Sequence, residues 1–405
     1  MVGGGGREHA LVWKLAQHPG AELYAAPGNP GIAQHATCIA DPDFLAAAES
    51  IRADLTVVGP EAPLAAGIVN AFRAKGRLIV GPTAGAARLE SSKAFAKSVM
   101  ERAASPTARA ITATSVPEAQ DALRRFGFPV VIKADGLMAG KGVAIAQSNE
   151  EAQQAIAQLL APDRPVVLEE FLTGEEASFI VLCDGNRVVA LDPSQDHKAV
   201  GDGDTGPNTG GMGAYTDGRI LTAGEIDHVL DRIIEPAIHA MRAEGTPFTG
   251  FLYAGLMLTA DGPKVLEFNA RLGDPETQAL LHRMTSDFVP CLEAAARGSL
   301  DGSKLEWSPR PSICVVIAAH GYPGSVRSGD AIHGIEHVEH ATVFQAGTKI
   351  RHNDLVTSGG RVLGVTASGA DLNLAMRAAY DAVGRIQFEG MHFRHDIGQK
   401  GLKRW

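Results

Sequence analysis

At 405 residues the chain is too long for one ordinary hydrophobic core and predicts two to four domains. Its 45% hydrophobic content, 5% aromatics and 46 glycines describe a loop-rich α/β protein rather than a disordered or membrane one. With 46 acidic against 37 basic residues the net charge is −9, which argues against nonspecific nucleic-acid binding, a process that needs a basic surface.

Cys38, Cys183, Cys291 and Cys314 stand far apart, so neither a CxxC metal pair nor a compact disulfide framework is visible. They read as buried thiols of a reducing compartment. No apolar run approaches the ~18 residues of a transmembrane helix, and the N-terminus lacks a basic segment followed by an apolar one. The expectation is a cytoplasmic protein with no membrane and no nucleic-acid partner.

The chain opens on MVGGGGREHALVWKL. A dinucleotide fingerprint needs G-x-G-x-x-G after a strand and at the start of a helix. Both registers fail, because the third glycine position is Glu8 or His9. Only Met1 and Val2 precede the glycines, so the sequence predicts that a central strand is missing and that an upstream start would encode it. Loss of such a strand would cost the sheet several kcal/mol.

Up to about residue 90, apolar runs at 22–26, 55–59 and 77–81 read as buried parallel strands. Helical patterns lie between them, one from Leu11 to Ala16 and one over 63–76 that closes on Gly76. In such open sheets ligands sit beyond the strand carboxyl ends, where APGNPG (26–31) and GPEAPL (59–64) fall. Taken alone, turn chemistry explains both.

A helix is predicted over 91–102 with Ser91 or Ser92 as its cap. Strands follow at 128–136 and 142–147, then a helix with a Ser148–Glu151 capping box. Further strands at 165–172 and 176–185 complete a small antiparallel lobe, and Asp184-Gly185-Asn186 turns the chain into RVVALD. From about 299 the strand-like runs 312–319 and 360–367 precede a helix around 375–386.

Three stretches carry chemistry. In the loop 135–142, Gly136, Gly140 and Gly142 leave backbone amides open to phosphate oxygens, and Lys141 can neutralise them. It is not a Walker A loop, since the first two glycines stand one residue too close and Gly142 replaces Ser or Thr. Lys133 closes an apolar strand, where an anionic ligand would satisfy its ammonium; pairing with Asp135 or reaching solvent is the plainer alternative.

In KVLEFNARLGDPET (264–277), Glu267, Asn269 and Arg271 alternate with Phe268 and Ala270, so an extended strand puts all three on one face. Carboxylate and amide oxygens suit Mg²⁺, which takes phosphates and waters as its other ligands. The Arg271 fork suits a phosphoryl or carboxylate oxygen. The third stretch, SQDHKAVGDGDTGPNTGGMGAY (194–215), is so rich in glycine and charge that it is predicted to lie outside any core, as a functional or disordered loop. His197 alone shows no metal-ligand spacing.

Together these stretches, with EEFLTGEEASF, GPTAGAARLE, GYPG and GGRVLGVTA, closely resemble the phosphoribosylamine–glycine ligases, a family of the ATP-grasp superfamily, nearly from end to end. The resemblance implies an α/β and α+β multidomain chain. Its parts would be a preATP-grasp open α/β domain (1–90), an ATP-grasp domain (91–298) with a small lid lobe at about 110–180, and a C-terminal mixed α/β domain (299–405). The implied reaction is ATP-dependent ligation of glycine to 5-phosphoribosylamine through glycyl phosphate, yielding glycinamide ribonucleotide in purine biosynthesis, with a monomer expected.

Roles follow residue by residue from the same resemblance. Lys133, Gly140, Lys141 and Gly142 would hold ATP phosphates; Glu169, Glu170, Phe171 and Leu172 would form the hinge that reads adenine; Glu176 would bind ribose. Glu267 and Asn269 would ligate Mg²⁺ or Mn²⁺, and Arg271 would stabilise the transferring phosphoryl group. Gly5, Pro60, Glu61, Asp196, Lys198, Thr209, Gly210, Gly211 and Asp274 would bind the substrates, with Gly6 and Arg7 near the cleft wall.

The chain departs from the wider superfamily in carrying Leu256 and Met257 where another acidic metal ligand often stands. Competing readings are another ATP-grasp carboxylate–amine ligase or a biotin-carboxylase-like enzyme, which would lack the 194–215 motif. An NAD-dependent dehydrogenase rests only on the opening glycines, and a noncatalytic nucleotide-binding protein follows if the missing strand impairs the fold.

Overall fold

The computed structural model describes residues 1–138 and 142–404. Its N-terminal part contains the short parallel strands β1 (Val2–Gly3), β2 (Tyr24–Pro27) and β3 (Thr37–Cys38), and the parallel pair β4 (Thr56–Val57) and β5 (Ile79–Val80). The expectation of a missing first strand is overturned. Val2 pairs with Ala26 on one side and bridges Val58 on the other. Two residues suffice because Val2 is buried and the backbone is bonded on both edges, Ala26 N–H to Met1 O at 2.9 Å and Gly59 N–H to Val2 O at 3.0 Å.

Helix α1 (Gly6–Leu15) follows at once, capped by Glu8, whose Oε2 accepts from the Gly5 N–H at 2.6 Å. The Glu8 side chain also fills the space beside Gly3 and Gly59, where an added Cβ would lie 2.6 and 2.0 Å from it. The opening glycines therefore make room for a carboxylate of the chain itself. It occupies the helix end at which a dinucleotide fold would hold pyrophosphate.

Helices α2 (Phe44–Ser50), α3 (Glu61–Ala65), α4 (Ile68–Ala74) and α5 (Ala84–Ser91) complete this part. The single helix expected over 63–76 is two, because Gly67 takes φ +89° between α3 and α4. Next, α6 (Lys93–Arg102) starts at Ser92, whose Oγ accepts from Phe95 N–H at 3.1 Å.

Strands β6 (Ala110–Ala113), β7 (Val130–Ala134), β8 (Val143–Ala146) and β9 (Val166–Glu170) form an antiparallel sheet in the order β6-β9-β7-β8, backed by α7 (Val116–Leu123) and α8 (Asn149–Leu159). Period-two alternation sends Val130, Ile132, Val166 and Leu168 into a core of the lobe's own beneath the helices. Lys133 and Glu169 lie on the opposite face, as the pairings Lys133–Val167 and Val131–Glu169 require. The capping box on α8 is half formed: Ser148 Oγ accepts from Glu151 N–H, but the Glu151 carboxylate reaches one residue further back, to Gln147 N–H at 2.8 Å.

The rest of the chain comprises β10 (Glu175–Asp184), β11 (Val188–Ala190), β12 (Ser194–Asp196), β13 (Ala199–Gly201), β14 (Thr205–Asn208), β15 (Gly213–Thr216), α9 (Ala223–Val229), α10 (Glu235–Ala243), β16 (Thr249–Thr259) and β17 (Gly262–Asn269). Then come α11 (Glu276–Arg283), α12 (Val289–Arg297), β18 (Ser312–Ala318), β19 (Thr342–Gln345), β20 (Thr348–Arg351), β21 (Asp354–Thr357), β22 (Arg361–Ser368), α13 (Leu372–Val383) and α14 (Gln399–Arg404). Among the described residues one sheet runs β17-β16-β10-β12-β15-β18-β22-β19, with β11 added on β10. Strand β10, expected in the lobe, belongs here, paired with β16 along its whole length.

The segment 194–215, expected outside any core, supplies β12 and β15 to the middle of this sheet, and Ser194, His197, Met212, Ala214 and Tyr215 are buried. Its polar groups find partners there: Gln195 Nε2 donates to Glu176 O and Tyr215 Oη to Gln195 Oε1, both at 2.6 Å. Helix α11 crosses the sheet beneath them, packed on α1, β15, β18 and β22. It carries the DPET turn into the centre of the molecule.

Candidate active site

One end of the candidate site is built on the open face of the lobe. Lys133 is buried, and its Nζ lies 3.1 Å from Glu169 and 3.2 Å from Leu266 O. Its partner is thus Glu169 rather than Asp135, whose carboxylate accepts from Ser92 Oγ and Ala94 N–H at the start of α6. Lys97 Nζ reaches the same Glu169 at 3.1 Å, and Lys93 Nζ donates to Gly136 O at 2.9 Å. Burial lowers the pKa of both Lys93 and Lys97. The three ammonium groups share the carboxylates of Glu169, Glu267 and Asp135.

The Glu169 side chain is thus committed to lysines, leaving only its backbone for the expected hinge. Glu170 accepts from Arg109 N–H at 3.0 Å, and Phe171 beyond it is exposed. The β8 side chains Val143 and Ile145 are exposed on the lysine-bearing face and give it an apolar patch. Gly142 closes the loop, its carbonyl accepting from Ala134 N–H at 2.7 Å. Gly140 and Lys141 lie outside the described residues.

Across from this face, β17 presents Glu267 and Asn269 on one side as its period requires. Burial alone would raise the Glu267 carboxyl, but Lys198, Lys133, Lys93 and Arg271 hold it below its usual range. Asn269 Oδ1 has a long 3.4 Å contact from Arg271. Burial opposes the charge on Arg271, and Glu90 at 3.0 Å and Glu61 at 3.5 Å outweigh it, so its pKa is raised. Leu256 is fully buried opposite Val265, which leaves β16 no carboxylate at that register.

The other end, expected to bind the substrates, gathers residues from the whole chain. Lys198 Nζ lies 3.0 Å from Glu176 and 4.0 Å from Glu267, linking β10, β17 and the 194–215 segment. Thr209 N–H and Oγ1 both donate to Lys198 O at 2.8 Å, and Thr209 Oγ1 accepts from Gly211 N–H at 2.9 Å. Gly211 takes φ +111°, and a Cβ there would meet Pro275 Cδ at 2.5 Å and Asp196 Oδ1 at 2.9 Å. Only glycine lets this turn lie on the DPET turn. Burial and the Glu276 carboxylate raise the pKa of Asp196 well above the usual carboxylate range.

Gly5 lies against Asp274, Arg7 Nη1 donates to Leu272 O at 3.0 Å, and Pro60 caps α3, whose first residue Glu61 faces Arg271. The contacts thus join the 194–215 segment, β17, the DPET turn and the N-terminal loops. Sequence reasoning missed Lys93, Lys97, Glu90, Glu276 and Arg361. Glu276 accepts from Ser178 Oγ at 3.1 Å and Tyr253 Oη at 2.9 Å. Arg361, from β22, donates to Gly210 O and Asp274 O and lies 3.4 Å from the Asp274 carboxylate.

Family models match three consecutive parts of the chain: the phosphoribosylglycinamide synthetase N domain over 1–90, its ATP-grasp (A) domain over 91–277 and its C domain over 312–400. The chain is 53% identical over 418 aligned positions to the phosphoribosylamine–glycine ligase of Ralstonia nicotianae, covering 100% of this chain and 99% of that one. The ligase of Yersinia pestis is 50% identical with the same coverage. The crystal structure of the Thermotoga maritima phosphoribosylamine–glycine ligase superposes with a TM-score of 0.87 at 34% identity, covering 98% of each chain. Biotin carboxylase of Campylobacter jejuni shares the fold alone, with a TM-score of 0.72 at 16% identity over 99% of this chain and 94% of that one. The chain belongs to the phosphoribosylglycinamide synthetase family.

Proposed function

We propose that this family member joins glycine to 5-phosphoribosylamine at the expense of ATP, giving glycinamide ribonucleotide, ADP and phosphate for purine biosynthesis. The observation that carries the reading is the approach of the Lys133–Glu169–Lys97 cluster to β17, where Lys133 Nζ donates to Leu266 O and the Lys133 charge helps to hold Glu267 ionised. ATP lies with its phosphates toward Lys133, Lys97 and the 135–142 loop and its base toward Phe171, Leu172 and the apolar β8 face. Glu176 takes the ribose.

Glu267 and Asn269 are the residues that would hold a divalent cation, Mg²⁺ or Mn²⁺. The fit rests on their chemistry: an ionised carboxylate and an amide oxygen with one weak partner, two hard oxygen donors facing the phosphate side. When bound, such a cation neutralises phosphate oxygens and polarises the transferring group.

Glycine's carboxylate takes the terminal phosphoryl group, and the amine of phosphoribosylamine then attacks the acyl phosphate. Arg271, fixed by Glu61 and Glu90, supplies a preorganised positive charge to both steps and needs no covalent role. Asp196, Lys198, Thr209, Gly210, Gly211, Asp274, Gly5, Pro60 and Glu61 surround the two substrates. The lobe closes over the acyl phosphate and keeps water from it.

The units 1–90, 91–298 and 299–405 work together as a cytoplasmic monomer; no described helix is long and apolar enough to cross a membrane. The test is ADP release with glycine and freshly generated phosphoribosylamine. Turnover that needs both substrates and rejects larger amino acids is expected. Turnover indifferent to either one overturns the reading.

A further inference from the structure

We infer that the C-terminal segment 392–400 sets the geometry of the substrate end of the cleft, with Arg394 as a positioning residue for Lys198 and the 209–211 turn. The inference rests on the ligase reading above.

The hairpin β13–β14 leaves the large sheet between β12 and β15, and β14 is exposed along all its residues. It has little apolar packing to fix it. What holds it is a dense set of polar contacts from the chain's far end. Arg394 is fully buried, and its Nη1 donates to Ala199 O at 3.1 Å and to Asp204 Oδ1 at 3.0 Å. Its Nε and Nη2 form a bidentate pair with Asp396, both at 2.7 Å, which fixes the guanidinium plane.

Around it, Lys400 Nζ lies 2.6 Å from Asp204, Gly203 N–H donates to Asp396 at 2.8 Å, and His395 N–H donates to Asp202 at 2.8 Å. The His392 ring lies 2.9 Å from Val200 O. Asp204 holds a left-handed φ of +58°, a conformation that needs such outside support in a residue other than glycine.

The grip is applied one residue from the chemistry. Ala199, held by Arg394, directly follows Lys198, whose carbonyl takes both Thr209 donors and whose ammonium faces Glu176 and Glu267. His197 on the other side is buried, its pKa lowered to about 4 by burial and then by the Arg394 and Lys400 charges. Lys198 is thus flanked by two residues that the C-terminal segment senses.

The test uses the full chain and three variants: Arg394→Met, Arg394→Lys and Asp204→Asn. The Asp204 side chain is 44% exposed, so its replacement does not threaten the core and decides the matter if Arg394→Met fails to fold. With each substrate varied in turn, Arg394→Met and Asp204→Asn should raise KM for glycine and phosphoribosylamine by about tenfold. KM for ATP should rise by less, through the Lys198–Glu176 pair, and Arg394→Lys should recover part of the loss. A merely structural role would lower kcat with the folded fraction and leave every KM in place. That result, or an equal rise for all three substrates, overturns the inference. A wild-type chain without glycine-dependent ADP release overturns the ligase reading itself and this inference with it.

Discussion

At one end of the site, Lys133 stands on a four-stranded lobe with its own apolar core, tied to α6 and β17 of the body through polar contacts of Lys97, Lys133, Asp135 and Lys93. At the substrate end, Lys198, Thr209 and Gly211 grow out of the middle of the large sheet and are held by Arg361 and the C-terminal segment. One end has a core separate from the body's; the other adjoins strands of the large sheet. Polar ties can be exchanged for ligand contacts at small net cost, whereas strands shared with a sheet cannot be displaced without breaking it.

The largest expected effect breaks both ends at once. Glu267 faces the lysines of one and Lys198 of the other, so Glu267→Ala should lower kcat at least ~10²-fold. Its thermal unfolding midpoint should stay close to wild type, because the side chain is 39% exposed. Normal divalent-dependent turnover in that variant would remove the metal assignment.

Single-end variants should separate the two regions. Lys133→Met is expected to raise KM for ATP about tenfold or more while KM for glycine stays put, and Arg361→Ala to do the reverse. Steady-state kinetics with each substrate varied checks both, and a shared rise in all constants would mean that the ends are not independent.

A separate effect, on stability rather than turnover, concerns acid. His9 and His197 are buried, and burial lowers both to about 4 from an ordinary 6.5. The unfolded chain thus binds protons that the folded one refuses, and stability falls as pH drops from about 6.5 toward 4. The slope is roughly 1.4 kcal/mol per pH unit for each histidine. Residues 105–170, which include the lobe, contain no histidine. Hydrogen exchange at pH 5 and pH 7 should then show body amides losing protection before those of β7 and β9; uniform loss would contradict the contrast.

Much of the site was legible because its signals are local. Glu267 and Asn269 share a face by strand period, although β17 ends before Arg271, and Ser92 caps α6 as its position suggests. What escaped depends on distant pairing. Lys97 sits in KAFAKSVMER, where it reads as one more solvent-facing lysine until β9 brings Glu169 against it. Arg361 opens an ordinary apolar strand, and nothing near it in sequence announces Gly210 or Asp274. The 194–215 segment looked irregular because SQD and GAYT are too short to show alternation; the edges of β10 and β18 make them strands. Val2 and Gly3 are the extreme case, a strand defined wholly by its neighbours.

The continuous sheet has a practical meaning for anyone dividing this molecule. Gly213–Thr216 pairs on one side with Ser194–Asp196 and on the other with Ser312–Ala318. A fragment ending near residue 298 would keep the first partner and lose the second, baring a fully buried row of backbone donors and acceptors on Gly213–Thr216. Such an edge is a template for strand exchange between copies, so that fragment should cluster in solution rather than survive as a small nucleotide-binding module.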